Sequence, residues 1–150
     1  MVSVQHTLPL PALSQTNEAF TRNQAQNMRQ AIKAHHFPLV NQLLREGFNP
    51  AQPITADQWN AYLLLVLEGC SELVKQLIEA GEVDVNYKDE DGFTGLMVAA
   101  DHGDLKMVQT LVSLGADLQA TYDGRHTAKS LAIQANRQSV AVYLQGQESR

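Results

Sequence analysis

The sequence contains a single cysteine, Cys70, among its 150 residues, so the chain cannot form an internal disulfide bond. A lone cysteine is compatible with a reducing compartment, and we expect a cytoplasmic protein; secretion as an effector and a periplasmic location stay open. The first residues lack a basic stretch followed by a long apolar run, so no signal peptide is expected. The longest apolar run, Ala61–Leu67, is too short to span a bilayer.

Positive charge is also scarce. The chain has 11 Lys and Arg residues against 16 Asp and Glu residues, and its formal net charge is −5. The basic residues are scattered and form no stripe. Nucleic acids and anionic membranes bind proteins through clustered Lys and Arg, so neither is expected to be the main partner. The apolar fraction of 44% is nevertheless typical of a folded domain, and the length fits one.

Motifs for metals and cofactors are missing. No Cys or His cluster has the spacing of a zinc site. Asp84, Asp89 and Asp91 alternate as in a calcium loop, but the sixth and twelfth positions counted from Asp84 hold Asp89 and Gly95. A calcium loop needs Gly and Glu at those positions. Because phosphate-binding loops and nucleophile elbows are absent too, we expect no metal and no cofactor.

An enzyme would need titratable groups that converge on one point. The nearest candidates are Asp101, His102 and Asp104, which fall within about one helical turn. This pattern favours a helix end on the surface. Cys70 has no recognisable base beside it and is expected to be a packed residue at a helix start. We therefore predict no catalytic residues and no enzymatic activity.

Internal repetition is the main positive signal. Apolar helical patterns over residues 39–47, 73–81 and 107–115 each end in a glycine, and Gly47, Gly81 and Gly115 follow one another at intervals of 34 residues. A second helical pattern precedes each of them, over residues 25–34, 60–68 and 95–102, and a fourth covers residues 128–135. The spacing predicts repeated units of helix, tight turn, helix and extended loop. Glycine after the second helix suits a left-handed helix end.

Residues 89–117 read DEDGFTGLMVAADHGDLKMVQTLVSLGAD and resemble an ankyrin repeat almost position for position. The resemblance extends over residues 24–145, is clear in the second unit and weakens in the end units. It implies an all-α solenoid of about four helix-pair units with β-hairpin-like loops. We place an N-terminal extension at residues 1–23, which includes Pro9 and Pro11, and a repeat domain at residues 24–150. The expected units are residues 24–53, 54–88, 89–121 and 122–150.

Two departures from the family pattern concern the start of the first helix of a unit. The usual Thr-Pro-Leu-His is Thr-Gly-Leu-Met at residues 94–97 and Asn-Ala-Tyr-Leu at residues 60–63. In the family this tetrapeptide links neighbouring units by hydrogen bonds. We expect those links to be weakened here, so apolar packing between units must contribute more.

The resemblance also implies a binding surface, because the hairpin tips and the first helix of each pair line a concave groove. Carried over position by position, the surface contains aromatic anchors, acidic groups and a few other side chains. The residues are Asp57, Gln58, Trp59, Leu67, Glu68, Tyr87, Lys88, Glu90, Asp91, Phe93, Asp101, His102, Tyr122, Asp123 and His126. Such a surface suits a protein partner with basic and apolar contact residues. The alternative is that Trp59 and Phe93 pack against the next hairpin and that the acidic tips are solvated turns.

Binding is the function that this composition favours, since the repeats occupy nearly the whole sequence. We predict a protein–protein interaction module, an adaptor or an inhibitor, that is monomeric when free. One alternative is an immunity or self-protection protein that occludes the active site of a partner enzyme. Another is a homo-oligomeric structural protein that associates through Tyr143 and Leu144 near the C-terminus.

Overall fold

The computed structural model describes the backbone of residues 13–149 and the side chains of residues 22–149. Within this range the chain forms eight helices and two isolated β-bridges. The helices are α1 (Leu13–Lys33), α2 (Phe37–Arg45), α3 (Ala61–Leu67), α4 (Ser71–Glu79), α5 (Gly95–His102), α6 (Leu105–Ser113), α7 (Ala128–Gln134) and α8 (Gln138–Glu148).

The helices pack as four successive pairs in two layers. Helices α1, α3, α5 and α7 contact one another in sequence and form the inner layer, and each packs against the helix that follows it. Helices α4, α6 and α8 contact one another in the outer layer. The predicted all-α helical-repeat solenoid is therefore confirmed.

The first helix differs from the prediction. The pattern predicts a helical run over residues 25–34, whereas α1 begins at Leu13, so residues 13–23 of the predicted extension are helical. Residues 1–12 of that extension lie outside the described range.

The inner helices α3 and α5 are apolar over most of their length because other elements cover them there. Residues 61–66 and 95–100 are buried without interruption. The side chains of Asn60, Thr94 and Thr127 begin α3, α5 and α7, each accepting a hydrogen bond from the amide three residues ahead. Although these helices are apolar, no helix in the described part of the chain is long and apolar enough to cross a membrane.

The outer helices are amphipathic, and each buries one face. The buried pairs are Val40 and Leu43 in α2, Val74 and Leu77 in α4, and Val108 and Leu111 in α6, spaced as neighbours on one side of a helix. After these three helices, Gly47, Gly81 and Gly115 have φ angles of 97°, 74° and 94°. The predicted left-handed helix ends are confirmed.

The turn within each pair also needs a left-handed residue. Gly69 and Gly103 have φ angles of 76° and 85°, and the equivalent residues His35 and Asn136 have φ angles of 55° and 60°. Non-glycine residues are uncommon in this conformation, so the turn geometry is held by the packing around it.

The two departures from the family tetrapeptide, at the starts of α3 and α5, are related through Tyr62. This side chain is fully buried, and its hydroxyl donates a 2.9 Å hydrogen bond to the Val85 carbonyl. The ring lies against Gly95, where a Cβ atom would come within 2.7 Å of Tyr62 Cζ. Met97, which replaces the family histidine, is 1% exposed and contributes apolar packing.

Candidate functional site

A loop connects each helix pair to the next, and we call the second part of these loops finger 1 (residues 53–60), finger 2 (residues 87–94) and finger 3 (residues 121–127). A bridge between Pro53 and Asn60 closes finger 1, and one between Lys88 and Thr94 closes finger 2. Finger 3 is shaped by Asp123, whose carboxylate accepts hydrogen bonds from two amides further along the loop.

Fingers 1 and 2 are joined by two hydrogen bonds. The Trp59 indole N–H donates to the Asp89 carboxylate at 2.8 Å, and the Tyr87 hydroxyl donates to the Gln58 carbonyl at 2.8 Å. The other oxygen of Asp89 accepts from the Phe93 amide at 2.8 Å, so one carboxylate both shapes finger 2 and holds finger 1. Burial raises the pKa of the Tyr87 phenol, and the charge of Asp89 adds to the rise.

Fingers 2 and 3 are joined by stacked rings. Phe93 and Tyr122 stack with their centroids 4.4 Å apart and their planes 17° apart. Tyr122 stacks in turn on the His126 ring at 5.6 Å. The His126 ring also bonds the Asp123 carboxylate, and the His126 backbone amide donates to the same group. That backbone bond is the main reason why the pKa of Asp123 is lowered to about 2.

These contacts connect the rings of the three fingers into one continuous structure. We call it the finger ladder, and it consists of Trp59, Tyr87, Phe93, Tyr122 and His126. All five side chains are half-buried, so each is fixed by neighbours on one side and reaches solvent on the other. Trp59 and Phe93 therefore do pack against the next finger, as the alternative interpretation predicts. Packing of this kind also fixes rings in advance, which lowers the entropy lost when a partner binds them.

The finger tips carry exposed charge beside the ladder. Asp57, Glu90 and Asp91 are exposed acidic residues, and Lys88 and Arg125 are exposed basic residues on the same loops. The carboxylate of Asp123 is already bonded to its own loop, so the acidic groups most open to a partner are those of fingers 1 and 2.

Four of the residues predicted for the surface lie elsewhere. Leu67 and Glu68 are at the end of α3, and Asp101 and His102 are at the end of α5. An eight-residue helix rises about 10 Å, so these positions are roughly that far from the fingers. Glu68 pairs there with His35 at 3.0 Å. The structure thus divides the predicted surface into the finger group and a smaller group at the turns.

The side chains considered for catalysis or metal binding have structural surroundings that account for them. The Asp104 carboxylate accepts a 3.0 Å hydrogen bond from the Met107 amide and begins α6. Cys70 is buried, and burial raises the pKa of its thiol, which disfavours the nucleophilic thiolate. Asp84 accepts a 2.8 Å hydrogen bond from the Asn86 amide. Among the described residues, no three His, Cys, Asp or Glu side chains are grouped so that they could hold a metal ion.

Self-association through Tyr143 and Leu144 stays a prediction, but the structure does not expose Leu144 for it. Leu144 is 1% exposed and belongs to the core of the last pair, and Tyr143 is half-buried against that core. The large apolar side chains exposed on the last pair are instead Ile133 and Val142.

Three contributors to these contacts were not identified from sequence. Asp89 occupies the first position of the Asp-x-x-Gly turn, so its hydrogen bonds within finger 2 could be predicted from sequence. Its hydrogen bond to Trp59 could not, because that bond joins two different repeat units. Arg137 donates to the Asp101 carbonyl at 3.0 Å, and His35 bonds Glu68 across a unit boundary. No local pattern signals contacts between residues 30 or more positions apart.

Comparison with known proteins agrees with the architecture. The family model described as ankyrin repeats (3 copies) matches residues 28–122 and 63–148. The chain is 40% identical over 80 residues to ankyrin repeat family A protein 2 of Mus musculus. This aligned region covers 53% of the chain and 25% of that protein. It is 31% identical over 107 residues to ankyrin repeat and SAM domain-containing protein 6 of Rattus norvegicus, covering 71% of the chain and 12% of that protein.

A third relative, with a lower identity, is a toxin. The chain is 27% identical over 107 residues to alpha-latrocrustotoxin-Lt1a of Latrodectus tredecimguttatus, covering 71% of the chain and 7% of the toxin. The matched region therefore spans a quarter or less of the length of each of these three relatives.

Proposed function

The chain belongs to the ankyrin repeat family, and from this premise we propose that it binds another protein through the finger ladder and the acidic finger tips. Ankyrin repeat proteins are in general interaction modules, and solenoids of this kind present extended surfaces to their partners. The observation that carries the proposal is that half-buried rings of three successive fingers are linked. Phe93, Tyr122 and His126 stack on one another, and Trp59 is joined to finger 2 by its hydrogen bond to Asp89.

Aromatic strips are well suited to anchoring a partner. A ring buries a large apolar area with few rotatable bonds, and aromatic residues are enriched at the positions that dominate binding energy. In the ladder the rings are already ordered by Asp89 and by mutual stacking. Little additional ordering is needed on binding, and more of the contact energy remains as affinity.

The charges beside the ladder indicate the chemistry of the partner. Asp57, Glu90 and Asp91 are exposed at the tips of fingers 1 and 2. Lys or Arg side chains of a partner would meet these carboxylates while neighbouring apolar side chains cover the rings. We therefore propose a partner with basic and apolar contact residues, for which this protein acts as an adaptor or an inhibitor.

Charge reversal at the finger tips tests this proposal. We expect the double variant Glu90→Lys, Asp91→Lys to weaken partner binding by about 10- to 100-fold, because two attractive contacts become repulsive. The partner is first captured from a lysate of the source cells and identified by mass spectrometry. Its affinity for each variant is then measured by calorimetry with the purified proteins.

The matched control is Glu79→Lys, Glu82→Lys, which changes the net charge equally at exposed positions at the C-terminal end of α4 and just beyond it. The affinity of this control for the partner should lie within about threefold of that of the original protein, because only the long-range attraction due to net charge changes. Equal weakening by both double variants would mean that the fingers do not form the contact surface.

A further inference from the structure

A second concave feature lies at the other end of the inner helices, where the turns of the first two pairs meet. This groove has a volume of about 450 Å³. Its walls come from α2 and α4 and include Phe37 and Leu73, and its rim carries Glu68 and Glu72. We call it the turn groove. It is separate from the finger ladder, which is formed by the loops that precede the inner helices.

The groove exists because one side chain is small. At the next unit boundary the Asp104 carboxylate covers the turn, where a Cβ atom on Gly69 would lie 3.3 Å from Asp104 Oδ2. At the third boundary the Arg137 side chain covers the turn, where a Cβ atom on Gly103 would lie 2.7 Å from Arg137 Cδ. The residue equivalent to Asp104 and Arg137 at the first boundary is Cys70, which is short and buried.

The carboxylates of the groove favour a cation. Glu68 and Glu72 line it, and among the described residues of its lining there is no lysine or arginine. His35 also lines the groove and bonds one oxygen of Glu68 at 3.0 Å, so a ligand would meet the second oxygen of Glu68 and the carboxylate of Glu72. The beginnings of α2 and α4 attract anions in principle. However, the His36 ring already accepts a hydrogen bond from the Leu39 amide of α2, and the carboxylate of Glu72 lies in the first turn of α4. Both helix starts are therefore already supplied with an acceptor or a negative charge.

The Phe37 ring in the groove wall indicates which kind of cation the groove suits. Phe37 is half-buried and contacts the His35 ring edge to face, with centroids 5.7 Å apart. A flat cation can lie on such a ring while it bonds a neighbouring carboxylate, and the guanidinium group does both. The chain contains an internal precedent, because the Arg137 side chain packs over the equivalent turn and donates to a backbone carbonyl there at 3.0 Å.

We propose that the turn groove binds an arginine side chain of a partner protein, with its stem on Leu73 and its guanidinium group on the Phe37 ring and bonded to Glu68 and Glu72. The groove provides a contact beyond the finger surface, at the opposite end of the inner helices. A partner long enough to span both would be held at two separate points.

The test is a titration of the ¹⁵N-labelled protein followed by NMR, with the peptide acetyl-Gly-Arg-Gly-amide as the probe. We expect saturable shifts of amides in residues 35–37 and 68–73, with a Kd on the order of 1–10 mM, as suits a single side chain. The matched peptide with citrulline, a neutral isostere of arginine, should bind at least about tenfold more weakly, since it lacks the charge that the carboxylates attract.

Two variants show whether the rim carboxylates are responsible. Glu68→Gln, Glu72→Gln should weaken binding of the arginine peptide at least about tenfold, whereas Glu79→Gln, Glu82→Gln should leave it unchanged. Shifts that do not saturate, equal binding of the citrulline peptide, or tighter binding of acetyl-Gly-Glu-Gly-amide would each overturn the assignment. The finger variant Glu90→Lys, Asp91→Lys should bind the arginine peptide normally, so this proposal and the finger proposal fail independently.

Discussion

Gly95→Ala is expected to destabilise the protein by about 2–3 kcal/mol, although alanine is the better helix former. A Cβ atom at this position would overlap the Tyr62 hydroxyl and lie 2.7 Å from Tyr62 Cζ. Tyr62 has no room to withdraw because it is fully buried and its hydroxyl is bonded to the Val85 carbonyl. Urea unfolding followed by circular dichroism measures the loss of free energy.

The same substitution should have the opposite sign once the tyrosine is removed. In a Tyr62→Leu background the clash disappears, and Gly95→Ala should be neutral or stabilise the fold by up to about 1 kcal/mol. The coupling energy between the two positions is then roughly 2–4 kcal/mol, which lies in the upper part of the range for residues in contact or above it. Additive effects in the double-mutant cycle would mean that Tyr62 is not the reason for glycine at position 95.

Gly92→Ala is expected to destabilise the protein by about 2–3 kcal/mol, whereas Gly124→Ala should cost only about 1 kcal/mol. Both glycines have left-handed φ angles, 89° and 79°, so the backbone strain of the two variants is similar. They differ in their surroundings. A Cβ atom on Gly92 would lie 3.0 Å from the carbonyl oxygen and 3.2 Å from the Cα atom of Tyr122, and backbone atoms cannot move aside as a side chain can.

Gly124 is the matched control because a Cβ atom there would meet no described atom within 4 Å. Gly92→Ala should also move finger 2 away from finger 3 and disturb the stacking of Phe93 on Tyr122. Thermal unfolding measures the first effect, and near-ultraviolet circular dichroism, which reports on ordered aromatic rings, measures the second. An equal loss of stability in the two variants would show that the fingers are not closely packed at Gly92.

Much of the architecture could be predicted from sequence because the signals are local and periodic. The helix predicted over residues 95–102 is found at those bounds, and Gly81 and Gly115 end their helices in the predicted conformation. The start of α1 could not be predicted from the repeat pattern, because residues 13–23 belong to no repeat and are helical nonetheless.

The site was predictable in composition but not in its contacts. Position within the repeat indicated Trp59, Phe93 and Tyr122, yet the bond from Trp59 to Asp89 and the stacked rings depend on how neighbouring units are set against each other. The sequence likewise presents Tyr62 and Gly95 as two unrelated departures, and only their contact shows that one requires the other. Long-range side-chain geometry is the information that a single sequence lacks.

The central claim, that a partner protein binds the finger ladder, is tested most directly by hydrogen–deuterium exchange on the purified complex and on the free protein. We predict slower exchange in the complex across residues 53–60, 87–94 and 121–127, with or without added protection at the turn groove. Unchanged exchange in all three fingers, together with protection confined to the outer helices α2, α4 and α6, would contradict the claim.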